Sequence, residues 1–251
     1  MKRLPVNIKT FLKDIRIISF DAGFTLIYPE PPVGEVYAAI ASRFGYSLNP
    51  REVHSRFETA WEAKSRSDAQ GKIGAFADEE LVYRWWKDIF LASLGGSVAP
   101  GDGDKMFPLC FNEYAGGGYW RLYPGVMQTL TALGSLGFRL VVLSNWDRRL
   151  LQTLKEVQLD PFFEKIYIST LIGYAKPDPG AFQYVVKDLK ISPREILHIG
   201  DSLEEDILGA QRAGIQPVYL HRTGKNKAIH AQIPVITSLD ELLFASGGSE
   251  A

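Results

Sequence analysis

Five polar side chains in this 251-residue chain fall where a sheet protein does its chemistry. Asp21 ends the apolar run IRIISF, Ser144 ends RLVVLS, and Asp201 ends EILHIG. Asp206 follows five residues later, near the start of the next helical pattern, and Lys176 stands on a loop beside Pro177. In open α/β sheets, ligands bind in the crevice beyond the carboxyl ends of the strands, and a charge placed there must be paired or put to use. Three carboxylates in one crevice repel strongly in a low dielectric unless a cation neutralises them, and oxygen ligands of this kind suit magnesium. A lysine facing them would pair with a nucleophile or with a bound anion. Each residue also has an ordinary reading: a turn cap for Asp21, a strand-end turn for Ser144, a first-turn helix acid for Asp206, a solvated loop lysine for Lys176. Their joint position at strand ends is the signal.

The elements that must hold these residues are legible as patterns. The run before Asp21 reads as a buried strand of a parallel sheet. Pro29, Pro31 and Pro32 then forbid regular helix and predict a stiff flap over the strand end. Val36, Ile40 and Phe44 share one helical face that Gly45 ends, and a second helix begins near Pro50. A third, from near Asp78, carries Leu81, Trp85 and Ile89 on one stripe with Val82, Trp86 and Phe90 beside it. A fourth covers about Lys105 to Tyr114. With no convincing strand among them, these helices read as a bundle inserted after the first strand. Gly116, Gly117 and Gly118 cost too much backbone entropy for a helix interior, so they form a hinge or a surface turn.

From Tyr123 helix and strand alternate. Pro124 opens a helix that Gly137 closes, and the strand FRLVVLSN follows. Next come a helix from about Arg148, the strand KIYIS, a helix from about Pro179, the strand EILHIGD, a helix over about Glu204 to Ala213, and the strand IQPVYL. Alternation of this kind implies right-handed βαβ crossovers. The expected fold is therefore α/β: a doubly wound, Rossmann-like parallel sheet of at least five strands with an inserted helical domain. The GGSEA tail reads as disordered.

Taken together, Asp21 with Thr25 four residues on, Ser144 with Asn145, Lys176 with Pro177, and Gly200-Asp201 with Asp206 resemble, in order and spacing, the four motifs of the haloacid dehalogenase superfamily. The helical insert resembles the cap of its phosphoglycolate phosphatase and haloacid dehalogenase branch. The resemblance implies a catalytic core over residues 1–30 and 119–251 and a cap over 31–118. It implies Asp21 as a nucleophile that takes up a phosphoryl group, a covalent strategy that divides the reaction into two steps. Thr25, Ser144, Asn145 and Lys176 would serve the phosphoryl group. Asp21, the backbone carbonyl of Gly23, Asp201 and Asp206 would hold Mg2+.

One position departs from that pattern. Phosphatases of the family carry a second aspartate two residues after the nucleophile, as general acid and base; here it is Gly23, followed by Phe24 where glycine is common. General acid-base catalysis is worth ~10²- to 10⁴-fold, so activated phosphates should be hydrolysed and sugar phosphates barely. Glu30 on the flap is a candidate replacement. Other readings are a phosphate-ligand or protein-binding module that turns nothing over, a metal-independent dehalogenase, and a phosphonatase using Lys64, Lys72 or Lys87.

Composition narrows the partners. The net charge of -1, from 28 basic and 29 acidic residues, provides no global field for nucleic acid or an anionic membrane. No stretch approaches the ~20 apolar residues of a membrane span, and charges interrupt the N-terminal run too early for a secretory segment. The single cysteine, Cys110, lies in the apolar FPLCFNEY and reads as an inert buried thiol of a cytoplasmic protein. The basic run His221 to His230 reads as a solvated loop. A small phosphorylated substrate is the expected partner.

Overall fold

A computed structural model of the chain describes residues 12–69, 75–223 and 233–244. Lys72, residues 224–230 of the basic run, and the GGSEA tail lie outside the described residues.

The first strand, β1 (Ile17–Phe20), is completely buried. A tight loop follows, then β2 (Ile27–Pro29). Four helices come next: α1 (Val33–Ser42), α2 (Pro50–Ala69), α3 (Glu79–Leu94) and α4 (Pro100–Glu113). Asp78 caps α3 by accepting from the amides of Glu80 and Leu81, which satisfies donors that a helix start leaves free. These helices bury a cluster of their own, built on Val36, Ile40, Val53, Phe90, Leu94, Met106 and Phe107. Leu81, expected on the buried stripe, is 44% exposed, whereas Val82, Trp85, Ile89 and Phe90 are buried.

The chain returns through β3 (Trp120–Leu122), which pairs antiparallel with β2. The proline flap is therefore one side of a short two-stranded ribbon. Three residues per strand are too few for alternation to be visible in the sequence. Beyond it run α5 (Val126–Ser135), β4 (Arg139–Ser144), α6 (Arg149–Glu156), β5 (Lys165–Ile168), α7 (Pro179–Leu189), β6 (Ile196–Gly200), β7 (Gln216–Leu220) and β8 (Val235–Ile236).

Six strands form one parallel sheet in the order β5-β4-β1-β6-β7-β8. Alternate residues of the strands face opposite layers, as the two-residue period requires. Ile18, Phe20, Leu140 and Val142 meet α5 and α6; Ile17, Val141 and Leu143 meet α7. The fold is thus the doubly wound α/β class expected. The predicted helix over 204–213 is instead a π-helical turn (Leu203–Leu208) running into a single α turn (Gly209–Arg212). Such π turns favour functional sites. No helix of the described residues is long and apolar enough to cross a membrane.

Candidate active site

Strand register creates the site. Phe20 pairs with Val142 on one side and Ile199 on the other, so Asp21 lies level with Leu143 and Gly200. Ser144 and Asp201 then stand one residue further toward the same crevice. The Asp21 amide donates to the Ile199 carbonyl at 2.9 Å, extending the ladder to the last residue before the turn.

The side chains converge. Ser144 Oγ donates to Asp21 Oδ1 at 2.9 Å, and Lys176 Nζ donates to the same oxygen at 2.8 Å. Lys176 Nζ also reaches Asp206 Oδ1 at 2.5 Å. Thr25 Oγ1 donates to Asp201 Oδ1 at 3.1 Å, closing the first loop onto the fourth motif. Asn145, expected at the phosphoryl group, uses its polar atoms elsewhere. Its Nδ2 donates to the Lys176 carbonyl at 2.7 Å and to Glu205 Oε2 at 3.1 Å, and its Oδ1 accepts from the Lys176 amide at 2.8 Å. It therefore fixes the loop that carries the lysine.

Carboxylates outnumber the buried cation. Oxygens of Asp21, Asp201 and Asp206 all lie within 4.8 Å of one another, with Lys176 as the ammonium between two of them. Burial raises the Asp21 carboxyl above its usual range although Lys176 opposes the shift. Burial, with Asp21 and Asp206 nearby, pushes Asp201 up to about 7. Asp206 is held low: burial opposes ionisation, but Lys176 and His198 outweigh it. Lys176 stays charged because the two aspartates overcome its desolvation. A cluster with this excess of acceptor oxygens fits a hard divalent cation, which would remove the repulsion that raises two of its members.

His198 and Arg222 carried no sequence signal strong enough to single them out, and Gly200 entered only as part of a motif. His198 is buried on β6, between Ser19 Oγ at 2.9 Å and Asp206 Oδ1 at 3.1 Å. A lone histidine in an apolar strand reads as a core residue until its partners are known. Gly200 is required sterically: a Cβ there would stand 2.1 Å from Asp206 Cγ. Arg222 donates to the Thr25 carbonyl at 2.6 Å, so this member of the basic run buttresses the first loop.

Gly23 also has a neighbour that explains it. A Cβ at this position would lie 3.1 Å from the ring of Trp146, which packs on Trp120 with centroids 5.0 Å apart. The indole thus stands beside the place where the absent carboxylate would begin. Phe24 adopts φ 55°, in the left-handed region that favours glycine, and its side chain is 47% exposed. Glu30 is exposed and paired with Arg121 at 3.5 Å, and it does not line the crevice. Lys64 and Lys87 pair with Asp88 and Asp104 on the helical insert, also away from the crevice walls.

Sheet order and inserted helices together define a doubly wound α/β protein with a helical insert. The chain belongs to the haloacid dehalogenase-like hydrolases, whose family model matches residues 15–214. It is 28% identical over 209 residues to haloacid dehalogenase-like hydrolase domain-containing protein 3 of Xenopus laevis, covering 82% of this chain and 84% of that one. Over 105 residues it is 36% identical to a glyceraldehyde 3-phosphate phosphatase of Methanopyrus kandleri, covering 41% of this chain and 45% of that one. Among solved structures, the magnesium-bound HAD-hydrolase YfnB of Bacillus subtilis superposes with a TM-score of 0.71 at 23% identity, covering 92% of this chain and 97% of that one.

Proposed function

We propose that this hydrolase is a magnesium-dependent phosphatase that works through an aspartyl phosphate on Asp21, with a weakened acid-base step. The reading rests on one observation above the others: Lys176 and Ser144 both donate to the same oxygen of Asp21, at 2.8 and 2.9 Å. They orient the carboxylate, and the ammonium offsets charge on the phosphoryl oxygens as the P–O bond to the leaving group breaks. The other Asp21 oxygen is free to attack phosphorus; the electron pair of the broken bond goes to the leaving oxygen. Water then attacks the aspartyl phosphate, releasing inorganic phosphate and restoring Asp21.

Asp21, the Gly23 carbonyl, Asp201 and Asp206 would hold the ion. When bound, magnesium supplies positive charge to the transferring group. Thr25 and Asn145 position Asp201 and Lys176. The helical insert, residues 31–118, serves as the cap over a core of residues 1–30 and 119–251, excluding water and selecting the substrate. The M. kandleri relative's phosphatase name supports the phosphoryl class. Near-zero net charge supports a small phosphorylated metabolite over nucleic acid or membrane, in a cytoplasmic setting.

Gly23 contributes no proton. Both departure of an alkoxide and attack by water are then slowed, by roughly 10²- to 10⁴-fold each. A panel of phosphate esters graded by leaving-group acidity, assayed with and without magnesium, tests this. Acyl and aryl phosphates are expected to react, with a burst of carboxylate or phenol preceding slower turnover, and sugar phosphates to lag by a factor in that range. Equal rates on both classes would mean that another residue supplies the proton. Activity undiminished by excess chelator would point to dehalogenase-type chemistry instead.

A further inference from the structure

The crevice at Asp21 is the floor of a much larger chamber, about 1370 Å³ in volume, that extends up between the sheet and the helical insert. Its walls are aromatic to an unusual degree. Trp146, Trp120 and Phe24 flank the nucleophile, while Phe57, Trp61 and Trp86 line it from α2 and α3. Trp61 packs within 6.0 Å of Phe57 and 5.3 Å of Trp86, centroid to centroid, so these rings form a continuous apolar surface. Phe24, one of the lining residues, holds a left-handed backbone that is unfavourable for a non-glycine residue. Strain of this kind gathers at ligand sites.

Charge in the chamber is as informative as shape. The lysine and arginine side chains among its described walls are Lys176, Arg149 and Arg212, and each is committed. Lys176 holds Asp21 and Asp206, Arg149 lies on Asp147 at 2.7 Å and over the Phe111 ring at 3.3 Å, and Arg212 pairs with Glu204 at 2.8 Å. Acidic Glu58 and Glu62 line the same space, as does Glu205, whose carboxyl is pushed up to about 8 by burial. A substrate with a carboxylate or second phosphate at its far end would find no uncommitted lysine or arginine among the described walls, and the imidazole there, His54, lies 3.7 Å from Glu58.

Building on the phosphatase reading, we propose that the substrate is a phosphate ester of a planar aromatic alcohol whose remainder is neutral or cationic, with its ring seated between Trp146 and the Trp61–Trp86 wall. The two unusual features of the site then share one cause. As an Asp21 oxygen bonds to phosphorus, the phenol-type oxygen leaves as the aryloxide with the electron pair of the broken P–O bond, and picks up its proton from water rather than from the residue at position 23. Aromatic walls stabilise the ring by stacking.

The test compares 1-naphthyl phosphate, 4-carboxyphenyl phosphate and acetyl phosphate, all activated, on the full chain with magnesium. The expected kcat/KM for the naphthyl ester exceeds that for the carboxyphenyl ester about tenfold or more, the factor that 1.4 kcal/mol confers. Trp61→Ala should lower the naphthyl-to-acetyl ratio by a similar factor, and Trp61→Phe should restore most of it. Quenching of tryptophan fluorescence by 1-naphthol in the unmodified chain provides a reading independent of any variant's folding. Equal kcat/KM for all three esters, with no quenching, would overturn the aromatic assignment and leave the phosphatase standing. Failure to hydrolyse any of them would overturn both.

Discussion

Trp146 directly follows Asn145, and its ring closes the space beside Gly23. Restoring the acid therefore needs two changes. Gly23→Asp alone drives a new side chain against an indole braced by Trp120, so it is expected to leave alkyl phosphatase activity low. Gly23→Asp with Trp146→Ser opens the space and should raise that activity by about 10²-fold, the lower end of an acid-base contribution. Steady-state assays on a sugar phosphate check both; a gain from the single variant equal to that from the double would show that the indole yields freely. Gly200→Ala is the opposite case, since the added methyl meets Asp206 Cγ at 2.1 Å. Overpacking here is expected to cost about 1–3 kcal/mol of stability and to displace Asp206 from Lys176, read by thermal unfolding and by loss of turnover. Unchanged turnover would show that Asp206 is dispensable. Cys110 belongs with the fold: burial raises its thiol pKa far above the usual range, so alkylation should be absent until the protein unfolds.

At the scale of elements, the insert is tied to the sheet by a few polar contacts. Glu79, in the first turn of α3, accepts from the Arg148 amide at 3.0 Å and from Thr170 Oγ1 at 2.8 Å. Arg149 reaches back to the Phe111 carbonyl of α4 at 2.7 Å. Glu79→Ala removes its share of this latch, worth about 1 kcal/mol, and should raise KM roughly fivefold with little change in kcat. An unaltered KM would mean that these contacts do not bear on substrate binding. These elements also show what sequence reasoning reaches. The parallel sheet, though not its strand order, follows from alternating long elements whose apolar strands are unambiguous, and the strand-end polar residues follow from the sheet. Leu81 was misplaced although Trp85 and Ile89 on its stripe are buried, because periodicity marks the inward face of a helix but not how far along the helix that face is covered. The ribbon of β2 and β3 is too short to carry a pattern, and the π turn at Leu203–Leu208 depends on holding Asp206 against Ser202, through an amide contact of 2.9 Å that no period encodes. Trp146, His198 and Arg222 act through neighbours distant in sequence, so their roles emerge only with the coordinates.

For the molecule as a whole, the proposed cap role of the helical bundle calls for a working cycle of opening and closing over the sheet-borne site. Limited proteolysis in the presence of a phosphate analogue should protect the connections near Pro29–Pro32 and Gly116–Gly118; identical cleavage with and without the analogue would argue against closure. The account depends most heavily on Asp21, Lys176, Asp201 and Asp206 acting as one unit around a divalent ion. Calorimetric titration of the protein with beryllofluoride, with and without magnesium, tests that unit directly. Stoichiometric binding that needs magnesium and disappears in Asp21→Asn is the predicted result. Absence of binding in the unaltered chain, or binding that survives Asp21→Asn, would contradict it.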